Sequence, residues 1–127
     1  MAKGKMKIRG ITIEIGGDTS KLEKSLRDVN GEIRDTQNQL RDVNRLLKLD
    51  PSNTELLRQK QKLLGDAVQE TSSKLDILKQ TEKDVQAQFQ KGEISERQYN
   101  ALKREIMATE EALKGLEEQA GKSSVAL

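Results

Sequence analysis

The sequence predicts a mainly α protein, with a short N-terminal β-strand followed by three long helices whose heptad seams pack as a coiled coil or αα-hairpin bundle. Leu, Lys, Glu, Gln and Arg dominate the 127 residues and Pro occurs once, a composition that suits long helices better than disorder. Apolar residues then recur at alternating spacings of four and three, the period of a helix that buries one stripe. Only the N-terminal stretch alternates with a period of two. With one Tyr and one Phe, the chain cannot fill the thick core of a mixed α/β enzyme domain, so one domain of packed helices is expected.

Met6 to Ile15 reads as the only strand, because Ile11, Ile13 and Ile15 alternate with Thr12 and Glu14. Gly10 interrupts the alternation with Met6 and Ile8, which implies a bulge or bend, and Gly16-Gly17 ends the strand. No second strand is visible in the sequence. A lone strand leaves its backbone donors and acceptors unpaired, so Ile11, Ile13 and Ile15 are expected to form a self-association strand that pairs with a neighbour. On that reading Ile13→Lys lowers the mass measured by light scattering.

The first helix is expected over about 20–48. Ser20 and Glu23 form an S-x-x-E capping box at its start. Leu22, Leu26, Val29, Ile33, Thr36, Leu40, Val43 and Leu47 follow as an a/d seam in which only Thr36 is polar. Leu-Arg-Asp-Val-Asn occurs at 26–30 and again at 40–44, two heptads apart, so the sequence repeats at the period of the structure.

Asp50-Pro51-Ser52-Asn53 stops that helix, and Asp50 suits the N-cap of the second, which is expected to begin near Pro51 or a few residues later, over about 51–90. Its seam runs through Leu57, Gln61, Leu64, Val68, Thr71, Leu75, Leu78, Glu82, Val85 and Phe89. At 1.5 Å per residue such a helix is ~55 Å long. Gly65 lies beside the seam, where close packing is one reason for a glycine. Lys91-Gly92 closes the helix, with Gly92 suited to the left-handed C′ position. The third helix, about 95–119, opens with a Ser95/Gln98 capping box and an Ile94/Tyr99 hydrophobic staple. Tyr99, Leu102, Ile106, Thr109, Leu113 and Leu116 carry its seam. So short a connection returns it antiparallel to the second helix. Glu23/Arg27, Glu70/Lys74 and Glu110/Lys114 are spaced for i,i+4 pairing. The domain plan is an arm and strand at 1–17, a helical module at 18–120, and an unpatterned tail or truncation point at 121–127.

The absence of Cys and His excludes disulfides, thiol nucleophiles, thiolate or imidazole zinc sites and triads that use imidazole. Acidic residues are plentiful, but a general acid–base pair needs a pocket that separates two pKa values. None surrounds any candidate, and solvated helix faces account for the acids. Glu82, the one acid on a seam, suits a cross-bundle ion pair or a register-setting role. Gly16-Gly17-Asp18 resembles a fragment of an anion-binding loop without its glycine fingerprint or Gly-Lys-Ser/Thr, so a turn and helix cap explain it. Lys3, Lys5, Lys7 and Arg9 make the arm basic, but with a net charge of +2 and no aromatic residues beside them a solvated arm is expected rather than a nucleic-acid or membrane contact. No secretory h-region or spanning segment is present. Leu49 to Asn53 followed by Leu56-Leu57 is like a tetratricopeptide junction, but no helix-pair repeat accompanies it. The expectation is a protein that is not an enzyme and takes no cofactor and no metal. Its polar seam positions and its strand favour a homo-oligomer.

Several stretches also carry a family resemblance. Ile8 to Asp18 (IRGITIEIGGD), SKLEKSLRDVN, LRDVNRLLKLDPSNTELLRQKQKLL and GEISERQYNALKREIMATEEALKGLE resemble the N-terminal region of phage tail tape measure proteins, closest to those of phages and prophages of Gram-positive bacteria. The resemblance covers roughly 7–120. It implies a structural, minor tail protein of the virion that sets tail length and templates tube assembly, made in the host cytoplasm and lying in the tail lumen. By the same resemblance its partners are the tail tube protein and tail assembly chaperones. A helix converts residue count into length at a fixed ~1.5 Å per residue, as a ruler requires. Members of the family run to many hundreds of residues, so this stretch corresponds to a terminal module for self-association or docking. The alternative reading is a generic cytoplasmic coiled-coil adaptor that takes a partner helix in a groove.

Overall fold

The computed structural model describes residues 4–15 and 20–125, with Gly4, Ser20 and 122–125 described by backbone alone. The chain runs β1 (Gly4–Ile8), β2 (Ile11–Ile15), α1 (Ser20–Leu49), α2 (Thr54–Gln90) and α3 (Glu96–Val125). It is mainly helical, with a small antiparallel sheet in front of three helices packed as a bundle. The Gly16-Gly17-Asp18 turn, Lys3 and the Ser20 cap side chain lie outside what is described.

The single strand expected over 6–15 is in fact a hairpin. Gly4 pairs with Ile15, Met6 with Ile13 and Ile8 with Ile11, which leaves Arg9-Gly10 as a two-residue turn. Both turn residues have positive φ, 51° and 79°, the left-handed pair that a type I′ turn requires. Gly10 is therefore the second turn residue, not a bulge. An arginine in the place usually taken by Asn or Asp concealed the turn signal.

The helix boundaries follow local chemistry. α2 starts at Thr54, a few residues after the proline, because Asn53 rather than Asp50 is the N-cap and its Oδ1 accepts the Leu56 N–H at 3.0 Å. Pro51 and Ser52 form the turn before it. At the other end of α2, the Glu93 N–H reaches the Gln88 carbonyl and the Gly92 N–H reaches that of Phe89, at 2.9 and 3.0 Å. With Gly92 at φ 78° this is a Schellman motif. α3 opens on the expected reciprocal box: Ser95 N–H to Gln98 Oε1 at 2.9 Å and Gln98 N–H to Ser95 Oγ at 3.2 Å. The helix then continues to Val125, so most of the stretch read as an unpatterned tail is helical, with Lys and Ser as adequate helix residues.

α2 is the central helix. It packs on α1 along one side and on α3 along the other, while α1 and α3 bring no described Cα atoms within 8 Å of each other. The hairpin lies over one end of this layer and touches all three helices. Met6, Ile8, Ile13 and Ile15 point inward from it, meeting Leu26 and Val29 of α1, Leu78 and Val85 of α2, and Leu102 and Ile106 of α3. A smaller cluster, Leu40, Leu64 and Ala67 with Leu63, Leu116 and Ala120, holds the other half. The hairpin supplies apolar surface that helices with so few aromatics lack.

Candidate functional site

The seam residues read from the sequence take up the inner faces of the helices. Leu26, Val29, Leu40, Val43, Leu64, Leu78, Val85, Leu102 and Ile106 are buried. Leu22, Ile33, Leu47, Val68, Leu75, Phe89, Tyr99, Leu113 and Leu116 are half-buried at the margins. Of the full seams only Leu57 is exposed. The seam threonines Thr36 and Thr109 satisfy their hydroxyls inside the bundle, donating to Glu70 Oε2 at 3.1 Å and to the Glu105 carbonyl at 2.7 Å. Glu82 is half-buried and makes no ion pair among the described residues.

A second stripe on α2 is missing from the sequence reading. Ala67, Lys74, Thr81 and Gln88 recur every seven residues and face the hairpin and α3. Thr81 donates to the Ile77 carbonyl at 2.9 Å and lies 3.8 Å from Met6 Sδ. Gln88 Nε2 donates to the Glu14 carbonyl at 3.3 Å. Lys74 Nζ sits 3.3 Å from Glu105 Oε1, and Arg9 of the hairpin turn approaches the other oxygen at 3.6 Å. The expected Glu70/Lys74 pair is thus replaced, since Lys74 reaches across to α3. A central helix with two neighbours needs two stripes, and this one is built of small and polar residues that hydropathy does not mark.

The self-association strand is also placed differently from expectation. Ile13 and Ile15 are 0% exposed and face the helices, and Ile11 is half-buried beside the turn. Their backbone partner is β1 of the same chain. A lysine at Ile13 would therefore break the core and would report nothing about association.

The two edges of the sheet differ. On β2, the outward carbonyls of Thr12 and Glu14 accept from Gln98 Nε2 at 2.9 Å and from Gln88 Nε2 at 3.3 Å, so side chains from α3 and α2 cover that edge. On β1, Lys5 and Lys7 are exposed. Next to it, Met6, Lys7, Glu23, Leu26, Arg27 and Asn30 line an open cleft of about 220 Å³ between β1 and α1.

At the opposite end of the bundle Leu46, Leu49 and Leu57 are exposed, Leu49 by 81%. A shallow apolar groove of about 570 Å³ runs there past Thr54, Leu57, Arg58, Gln61 and Lys62. Arg58 grips Glu55 through Nη2 at 2.6 Å and Nε at 3.0 Å and holds that carboxyl down to about 2. Between the ends, the Glu70 carboxyl is raised above its ordinary range, first by burial and then by the nearby charges of Glu32, Asp66 and Asp35, against the lowering effect of the Thr36 hydroxyl. Its Oε1 is buried without a partner.

Among the described residues no group of three or more acidic side chains is arranged to hold a metal ion. Nor is any helix among them long and apolar enough to cross a membrane. These surfaces can bind other chains through apolar contact, backbone pairing and charge. Comparison with protein-family models, with curated proteins and with solved structures gives no match for this chain.

Proposed function

We propose that this chain is a structural module of a phage tail: the N-terminal part of a tape measure protein, which sets tail length and templates tube assembly in the tail lumen. It acts by associating with itself and by docking on the tail tube protein and the tail assembly chaperones. The observation that carries this reading is where the family-like stretches fall. IRGITIEI covers the turn and second strand of the hairpin, LLKLDPSNTELL spans the α1–α2 junction, and GEISERQYNALKREI runs from the α2–α3 turn into the first part of α3. The resemblance thus includes the reversals that define the fold, where a generic heptad sequence has no reason to agree, as well as the helices that flank them. Helices of 30, 37 and 30 residues add elements of fixed axial length. The exposed leucines at the far end of the bundle supply an apolar contact.

The test is to express the tagged chain in a host producing tailed phage and identify its companions by mass spectrometry. Recovery of tube subunits or assembly chaperones, abolished by Leu46→Glu/Leu49→Glu, is the expected result. Recovery of neither above the tag control overturns the tail reading. A helical partner recovered equally from phage-free cells supports the adaptor reading instead.

A further inference from the structure

The outer edge of β1, which no described residue pairs with, presents a binding site whose occupant can be specified chemically. In an antiparallel pair, residues whose carbonyls point away from the partner strand alternate with residues bonded to it, and register partners share the same orientation. The Thr12 and Glu14 carbonyls point outward, since Gln98 and Gln88 bond to them. Their register partners are Lys7 and Lys5. The N–H and C=O groups of these two lysines therefore point out of the opposite edge, and no described residue bonds to them. Beside β1 lies the 220 Å³ space lined by Met6, Lys7, Glu23, Leu26, Arg27 and Asn30, with the nearly buried Met6 and Leu26 at its floor.

The geometry points to an extended segment of a partner protein, with acidic residues alternating with small aliphatic ones, adding to β1 as a third strand. Backbone pairing with Lys5 and Lys7 supplies the hydrogen bonds, as in other strand-addition complexes. Aliphatic side chains on the inner face enter the space against Leu26 and Met6. Carboxylates on the outer face stand opposite the ammonium groups of Lys5 and Lys7, a favourable cross-strand pairing. The hairpin already shows that preference, because Lys5 is paired with Glu14. A second copy of β1 fits poorly: antiparallel pairing would set Lys5 of one copy opposite Lys7 of the other, and like charges directly opposite are destabilising. Edge lysines are a recognised guard against self-pairing. This inference is independent of the tail reading, since it concerns only the chemistry of the edge.

The experiment is titration of the isotope-labelled protein with a short peptide of alternating glutamate and valine, followed by amide NMR. The expected result is saturable shifts centred on the Lys5 and Lys7 amides and on Leu26. Affinity should fall about tenfold or more for the same peptide N-methylated at alternate amides, which alters the ligand and leaves the protein's fold untouched. Lys5→Glu/Lys7→Glu should weaken binding likewise and favour a lysine–valine peptide. The inference is overturned if the Lys5 and Lys7 amides do not move, or if N-methylation is without effect. It is also overturned if those amides shift with protein concentration alone, which would make a second copy the occupant.

Discussion

The side-chain amide of Gln88, in the last turn of α2, donates to the main-chain carbonyl of Glu14 in β2 at 3.3 Å. This bond closes one edge of the sheet and fixes the hairpin over the helices. Gln88 is only 8% exposed, while Glu14 is itself exposed, so water can take over the carbonyl when Gln88 is replaced. Gln88→Leu should cost about 0.5–1.5 kcal/mol, the net worth of one hydrogen bond whose acceptor water can re-satisfy. Urea denaturation followed by circular dichroism measures it, and an unchanged midpoint would mean that this bond adds nothing to what apolar packing, the Gln98 bond to Thr12 and the Arg9–Glu105 pair already supply.

Glu105 joins three elements, taking Lys74 from α2 at 3.3 Å and Arg9 from the hairpin turn at 3.6 Å. Lys74 and Glu105 are each 19% exposed, while Arg9 is 45% exposed. Coulomb attraction is screened least where water is excluded, so the Lys74 arm should dominate. Glu105→Gln is expected to destabilise by about 1–2 kcal/mol, and Arg9→Ala by less than about 0.5 kcal/mol. A double-mutant cycle on Lys74 and Glu105 checks the first value. A coupling near zero would show that the pair is a surface contact.

The fold class was legible because it depends on periodicity, and the helix seams at Leu26, Leu64, Leu78 and Leu102 are spaced so regularly that few other folds accommodate them. Two features were hidden for physical reasons. Arg9-Gly10 adopts a turn normally announced by Asn or Asp, so the hairpin was read as one strand with a break. The Ala67-Lys74-Thr81-Gln88 stripe faces inward although it lacks large apolar residues. It binds by hydrogen bonds and an ion pair, and hydropathy cannot register those. The outer edge of β1 depended on both, since it exists only once the hairpin is formed and its other edge is covered.

The glycines separate into two kinds, with opposite expected effects. Gly92 has φ 78° while Gly65 lies inside α2, and an added Cβ would meet nothing within 4 Å at either position. Close packing therefore does not explain Gly65. Only backbone terms remain, and they have different signs. Gly65→Ala should stabilise by about 0.5–1 kcal/mol through helix propensity. Gly92→Ala should destabilise by about 1 kcal/mol because an L-residue is strained in the left-handed region. Thermal melts of the two variants side by side test this, and a shared direction of change would contradict it.

Glu70 should make the α1–α2 contact depend on pH in an unusual direction. Its carboxyl accepts from Thr36 of α1 at 3.1 Å, while burial and the charges of Glu32, Asp66 and Asp35 raise its folded pKa. A carboxyl raised in the folded state binds its proton more tightly there than in the unfolded chain. Its contribution is therefore most favourable below the unfolded pKa and is lost as pH rises through the folded one. Glu70→Gln removes the charge and keeps a carbonyl oxygen for the Thr36 hydroxyl. The variant should melt about 2 °C or more above the parent at neutral pH, a shift well under 1 kcal/mol in a domain of this size. The gap should close as acid neutralises Glu70 in the parent. A gap that persists unchanged below the ordinary carboxylate range would assign the gain to packing instead of charge.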